Sequence, residues 1–262
     1  MLELNSSGPE VVALQTALRK AGFDPGAIDG FFGLGTQAAV LAFQRSERLA
    51  SDGIVGPNTA KALQLATIPT VSSAIPGVTV QVVSRMFPVT PIGNIKANLP
   101  AVLDSLVVAS LPDRAMVLTA LSTIRAETAS FEPITEGRSR FNTSPNGHPF
   151  DLYDNRKDLG NRGAPDGAQF CGRGFVQLTG RDNYTRYSRE IGKDLVGNPE
   201  LANDRQIAAE LLARFLKDRE NQIREAIASD DLASARRLVN GGSHGLKDFE
   251  DAFNVGVTLI PA

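Results

Sequence analysis

Hydrophobic positions recur at helical spacing in the first part of the chain. Over Pro9–Ala21, Val12, Leu14, Ala17 and Leu18 form a stripe that predicts an amphipathic helix. Two more helices are predicted over Thr36–Arg48 and Thr59–Leu65, each behind a similar turn. Asp29-Gly30-Phe31-Phe32-Gly33-Leu34-Gly35-Thr36 and Asp52-Gly53-Ile54-Val55-Gly56-Pro57-Asn58-Thr59 share the pattern D-G-x-x-G-x-x-T, offset by 23 residues. Asp-Gly favours a turn with a residue at positive φ, and Thr is a competent N-cap. Residues 67–78 carry two prolines, a glycine and no charge, which predicts a semi-extended linker. Further on, helical patterns cover Ala101–Ser110, Pro112–Phe131, Gln206–Ala228 and Asp231–Val239. Between Glu132 and Arg173 the periodicity fades into Gly, Pro, Asn and Asp, and so long an irregular stretch in a compact domain is usually functional. The expectation is a mainly α protein: a small three-helix domain over 1–66, a linker over 67–78, and a larger, mostly helical domain with a loop-rich cleft over 79–262.

Composition narrows the function. With 27 Lys+Arg against 29 Asp+Glu, the net charge of −2 argues against binding driven by nucleic-acid phosphates. The single Cys171 excludes an internal disulfide. Two histidines, His148 and His244, cannot form a three-histidine metal site, and neither metal nor cofactor is expected. No apolar run is long enough to span a bilayer, and Met1-Leu2-Glu3-Leu4-Asn5 shows no basic-then-apolar secretory pattern. Synthesis in the cytoplasm is therefore expected; a monomeric state is also expected, without a sequence feature that fixes it.

One candidate chemistry is a pair of carboxylates. Pro112-Asp113 starts a helix well and Pro133 should end it near Glu132, so Glu127 falls close to the C-terminus. The helix dipole disfavours a carboxylate there, and partial burial would raise its pKa as a proton donor requires. On a continuous helix Glu136 would lie on the opposite face. The break at Pro133 lets the chain fold back and set Glu136 across a cleft from Glu127. Glu132 competes with Glu136 for the second role. Two carboxylates in different environments are the minimum for inverting glycoside hydrolysis.

Two resemblances sharpen this. Leu14-Gln15, Leu18-x-x-x-Gly22, both Asp-Gly repeats and Ala42-Phe43-Gln44 resemble the peptidoglycan-binding domain 1 family of small wall-binding modules. The resemblance implies contact with cell-wall glycan or stem peptide through Asp29, Gly30, Phe32, Asp52 and Gly53. The segment Phe170–Tyr184, with Thr123–Thr128, Thr135-Glu136-Gly137, Phe150–Tyr153 and Leu238–Gly245, resembles the family 19 glycoside hydrolases, the plant-type chitinases that include many bacterial and phage lysozymes. It implies a lysozyme- or chitinase-like fold, with Glu127 as general acid, Glu136 as general base and Thr179 helping to hold the nucleophilic water. It further implies sugar contacts by Gln177, Asn183 and Asn240, with Tyr184 in the cleft wall. The arginine that plant-type members place near the glutamates has two candidates, Arg173 and Arg138.

Together the resemblances imply a modular peptidoglycan hydrolase of the endolysin kind, cleaving between N-acetylmuramic acid and N-acetylglucosamine. Such an enzyme would wait in the host cytoplasm and reach the wall after holin-type release. A chitinase is the nearest rival. A zinc amidase or peptidase would need His-rich ligand motifs, and a binding-only protein would not need both glutamates. Cys171 reads as a small packed residue and His244 as a loop residue. The chain holds no tryptophan, so sugar stacking falls to Tyr or Phe.

Overall fold

A computed structural model describes residues 2–65, 73–240 and 244–261, with Pro57 and Asn240 described by backbone alone. Two compact units divide the chain, Met1–Val71 and Ser72–Ala262. The described residues are mainly α-helical.

The first unit contains α1 (Pro9–Lys20), α2 (Leu34–Ser46) and α3 (Pro57–Ala62). The buried stripe of α1 is Val11, Leu14, Gln15 and Leu18, an i, i+3, i+4, i+7 set. Val12, expected in that stripe, is instead exposed. Leu14 and Leu18 pack with Phe32, Val40, Phe43 and Val55 in the core. Helices α2 and α3 begin earlier than expected, with Gly33 and Gly56 as their N-caps. Thr36 and Thr59 are therefore not caps.

Their role is internal. Gln15, buried on α1, donates through Nε2 to the Asp29 carboxylate (2.9 Å), the Phe31 carbonyl (3.0 Å) and the Thr36 hydroxyl (3.2 Å). Its Oε1 accepts from the Gly30 N–H at 3.0 Å. Gln44 on α2 repeats this set with Asp52, Ile54, Thr59 and Gly53. The repeat is thus a turn held from inside by one glutamine amide. The hydrogen bond from Gln15, then the Phe31 N–H, holds the Asp29 carboxyl below its usual range. Replacing Gln15 by Ala leaves a buried N–H and hydroxyl without their partner, at a cost of about 1–3 kcal/mol. Thermal unfolding of the first unit should shift down accordingly, and an unchanged transition would remove this role.

In the second unit α4 (Val80–Met86) and α5 (Ile92–Val108) lead to α6 (Arg114–Glu127). Strands β1 (Ile134–Thr135) and β2 (Arg173–Gly174) flank a long irregular segment that contains α7 (Asp166–Gln169). Helices α8 (Arg181–Ile191), α9 (Arg205–Lys217), α10 (Glu220–Ala228), α11 (Leu232–Asn240) and α12 (Leu246–Leu259) complete the unit. Helix α6 is central. It is buried continuously from Met116 to Ile124 and packs against α9, α10, α11 and, most extensively, α12. Gly256 makes the last contact possible, because a Cβ there would overlap Leu118 and Met86.

Several expected boundaries move. Residues 73–78, placed in the linker by composition, belong to the second unit, where Ala74 and Val78 are buried in the core. Helix α5 begins before Ala101 and runs through Pro100; Pro100 is exposed, so its missing N–H falls on the solvent side. The pattern over Gln206–Ala228 breaks into α9 and α10 at Asp218-Arg219. Helix α6 stops at Glu127 instead of near Glu132, because Ala129 and Phe131 take left-handed φ values of 49° and 57°. Those two residues reverse the chain.

Candidate active site

The reversal is firmly held. Asn98 on α5 donates to the Phe131 carbonyl at 2.9 Å, and Asn94 to the Ser130 carbonyl at 3.0 Å. The buried Phe131 ring meets Phe87 and Phe175 edge-on, at centroid distances of 4.8 and 6.2 Å. Phe175 lies just past β2, so this contact joins the loop after Glu127 to the loop before Thr179. Glu132 is tied off, its carboxylate accepting from Asn94 at 2.7 Å.

Glu127, the last residue of α6, is nearly buried. Its Oε1 lies 2.8 Å from Nη2 of Arg236, a side chain of α11 with 0% exposure. Arg236 also donates through Nε and Nη2 to the His244 carbonyl, at 3.0 and 2.9 Å. Burial raises the Glu127 pKa, and the opposing pull of Arg236, with a smaller one from His244, does not cancel it. The arginine beside this glutamate is therefore Arg236, and neither of the two candidates chosen from the sequence.

Glu136 follows β1 and is held by three donors. The Gly172 N–H lies 2.6 Å from Oε1, while Asn142 Nδ2 and the Tyr153 hydroxyl lie 3.1 and 3.3 Å from Oε2. The antiparallel pairing of Ile134 with Gly174 and Thr135 with Arg173 brings Glu136 to this place. Gly172 leaves room for it: a Cβ there would sit 3.1 Å from Glu136 Oε1, 3.2 Å from Thr179 Oγ1 and 2.9 Å from Gln177 Oε1, and those side chains would have to give way. Those three polar atoms thus surround one small space. Burial, then Glu136, pushes the Tyr153 hydroxyl up to about 12.

Thr179 donates to the Gln177 carbonyl (2.7 Å), and Gln177, at a left-handed φ of 50°, uses its Nε2 on the Ile134 and Gly174 carbonyls. Asn183 donates to the Thr179 carbonyl at 2.8 Å and is half-buried. Asn240 closes α11, but its side chain lies outside the described residues.

Arg173 and Tyr184 are not cleft residues. Tyr184 is fully buried and donates to the Cys171 carbonyl at 2.9 Å; Arg173 reaches the Tyr184 hydroxyl (3.2 Å), the Gln169 and Cys171 carbonyls, and Glu200. They brace the Gly172 loop from beneath. Cys171 is buried and unbridged, and burial pushes its thiol up. In the first unit Phe32 is likewise in the core, so it offers nothing to a wall. Asp29 and Asp52 spend hydrogen bonds on their own turns, and the first repeat exposes Phe31 and, at the start of α2, Leu34 instead.

Residues 7–63 match the profile of the family described as "Putative peptidoglycan binding domain". The chain carries this domain at its N-terminus. An N-acetylmuramoyl-L-alanine amidase, CwlM of Mycobacterium tuberculosis, is 46% identical over 56 residues, 21% of this chain and 14% of that protein. A glycosyl hydrolase family 19 domain-containing protein of Haemophilus influenzae is 28% identical over 98 residues, 37% of this chain and 46% of that one. The chain thus spans less than half the length of either relative. Chitinase C of Streptomyces griseus HUT6037 aligns in structure with a TM-score of 0.46 and 18% identity, over 71% of this chain and 79% of that one.

Asn142, Tyr153 and Arg236 were missed as site residues by sequence reasoning. Tyr153 lies in a segment that carried the family resemblance, so its place was available as a signal. For Arg236 and Asn142 no spacing rule pointed to either glutamate.

Proposed function

We propose that this chain is a peptidoglycan hydrolase whose second unit cleaves the β-1,4 bond between N-acetylmuramic acid and N-acetylglucosamine. The observation that carries the reading is the contrast between two carboxylates. Glu127 is buried at a helix end with a raised pKa, while Glu136 is half-buried and met by hydrogen-bond donors. Paired carboxylates in divergent environments divide into acid and base. Glu127 protonates the departing glycosidic oxygen. Glu136 takes a proton from water as that water attacks the anomeric carbon from the opposite face. Thr179, facing the same small space as Glu136, orients the water. Asn183, Gln177 and Asn240 are the proposed sugar contacts. A single displacement inverts the centre, so the α-anomer forms first.

The wall-binding domain supports peptidoglycan as the polymer, since holding it near the second unit raises the local substrate concentration. The two turns, carrying Asp29, Gly30, Asp52 and Gly53, are its proposed contact surface, now by their outer side chains. Digestion of purified sacculi with mass spectrometry of the new reducing ends tests the proposal. Reducing N-acetylmuramic acid supports it. Reducing N-acetylglucosamine or 1,6-anhydro ends, or action on chitin oligomers alone, would replace it.

A further inference from the structure

The residues just beyond Glu136 form a small closed loop. Asn142 Nδ2 donates both to Glu136 Oε2 (3.1 Å) and to the Gly137 carbonyl (2.9 Å), and its Oδ1 accepts from the Ser139 N–H (2.8 Å). The Asn142 N–H returns to the Ser139 carbonyl at 3.2 Å. One amide thus pins both ends of the segment and fastens it to the Glu136 carboxylate. Arg138, Arg140 and Phe141 are the long side chains it carries, and all three are exposed, Phe141 by 74%. The Arg140 guanidinium lies over the Phe141 ring, 4.9 Å from its centroid.

Neither arginine has an ion-pair partner among the described residues. The acidic side chains of the same region are already engaged: Asp151 by Ser144, Asp154 by His148 and Asp158 by Arg156. Consecutive Cα atoms are about 3.8 Å apart, so the Arg138 backbone stands within roughly 8 Å of that of Glu136. Two positive charges without an ion-pair partner among the described residues, one of them over an exposed apolar ring, therefore lie a few residues from the proposed base.

A neutral N-acetylglucosamine polymer gives the guanidinium groups nothing to pair with. A strand bearing muramic acid does, through the carboxylates of a stem peptide or, where the peptide has been removed, the lactyl carboxylate. Guanidinium groups pair with carboxylates in a forked geometry, and an aromatic face accepts the apolar side of a sugar ring. We propose that Arg138, Arg140 and Phe141 form a recognition site for the carboxylates of a muramic-acid strand beside Glu136. This rests on the peptidoglycan reading above and adds the feature that separates such a strand from chitin.

Steady-state kinetics of the full chain on soluble glycan strands test it, using strands with intact stem peptides and the same strands stripped by an amidase. R138Q/R140Q should raise KM on peptide-bearing strands by roughly tenfold, with the loss in KM more than in kcat. R138K/R140K should recover part of it, since the charge remains without the fork. The wild-type advantage should shrink as salt rises. Loss confined to peptide-bearing strands assigns the stem-peptide carboxylates, loss confined to stripped strands assigns the lactyl carboxylate that the amidase frees, and loss on both means the site takes either carboxylate. An unchanged KM on both strands overturns the site while the hydrolase reading stands. A wild-type chain that releases no reducing ends from either strand overturns the hydrolase reading, and this site with it.

Discussion

Glu127→Gln should abolish turnover of sacculi, by at least about a thousandfold, and leave the protein no less stable at neutral pH. The amide keeps the shape of the side chain but has no proton to give the leaving oxygen. The stability expectation follows from the raised pKa of Glu127, caused first by burial. A carboxyl that binds its proton more tightly when folded stabilises the fold at pH below its unfolded value, near 4.3. That contribution is lost as pH rises through the folded pKa. Glutamine is neutral throughout, so the variant keeps it. Its thermal midpoint should equal or exceed wild type at pH 7, and the two should converge towards pH 4. Measurable lysis by Glu127→Gln would remove Glu127 as the acid. A much lower midpoint at pH 7 would mean that its charge, paired with Arg236, is a net support of the fold.

Arg236→Ala should be the most damaging single change in the second unit. The side chain has no exposed surface and offers donors both to Glu127 and to the His244 carbonyl. Unlike Glu127→Gln, whose amide oxygen can still accept from Arg236, this change leaves the nearly buried Glu127 carboxyl and the His244 carbonyl without their donor, and breaking a buried pair in this way costs about 3–5 kcal/mol. For a unit of this size that corresponds to a fall in Tm on the order of 10 °C. Arg236→Gln is the milder variant and gives a second readout. Arg236 opposes the rise of the Glu127 pKa, so its loss lets that pKa climb further. A proton donor must be protonated to act, so the alkaline limb of kcat should move to higher pH. A fall in stability with an unmoved limb would leave Arg236 a purely structural role.

Much of the candidate site was legible before any coordinates. Pro112-Asp113 and Pro133 bracket a helix with Glu127 close to its C-terminus, although its end came earlier than the expected Glu132, and in the structure Asp113 does accept from the Met116 N–H at 3.3 Å. The turn residues of the two Asp-Gly repeats stood out because positive φ and side-chain-to-backbone bonds select few residue types. Other features misled for equally local reasons. Thr36 and Thr59 looked like caps because the residue type suits a cap, yet each meets a glutamine from a neighbouring helix. Tyr184 and Arg173 lay in the most specific motif and read as substrate contacts. They are buried beneath the loop that motif builds.

The sequence alone determined the helical class, the loop-rich stretch after α6, and the placing of Glu127 towards the C-terminus of that helix. Each depends on side-chain periodicity or on backbone geometry within a few residues. Only the tertiary structure decided which arginine faces Glu127, which groups converge on Glu136, and which motif residues are exposed. Arg236 reaches Glu127 because α11 and α12 pack against α6. Asn142 and Tyr153 reach Glu136 because an irregular segment folds back over it. Such pairings are set by how helix faces bury one another. That is a property of packing between distant segments, and no local pattern in either segment encodes it.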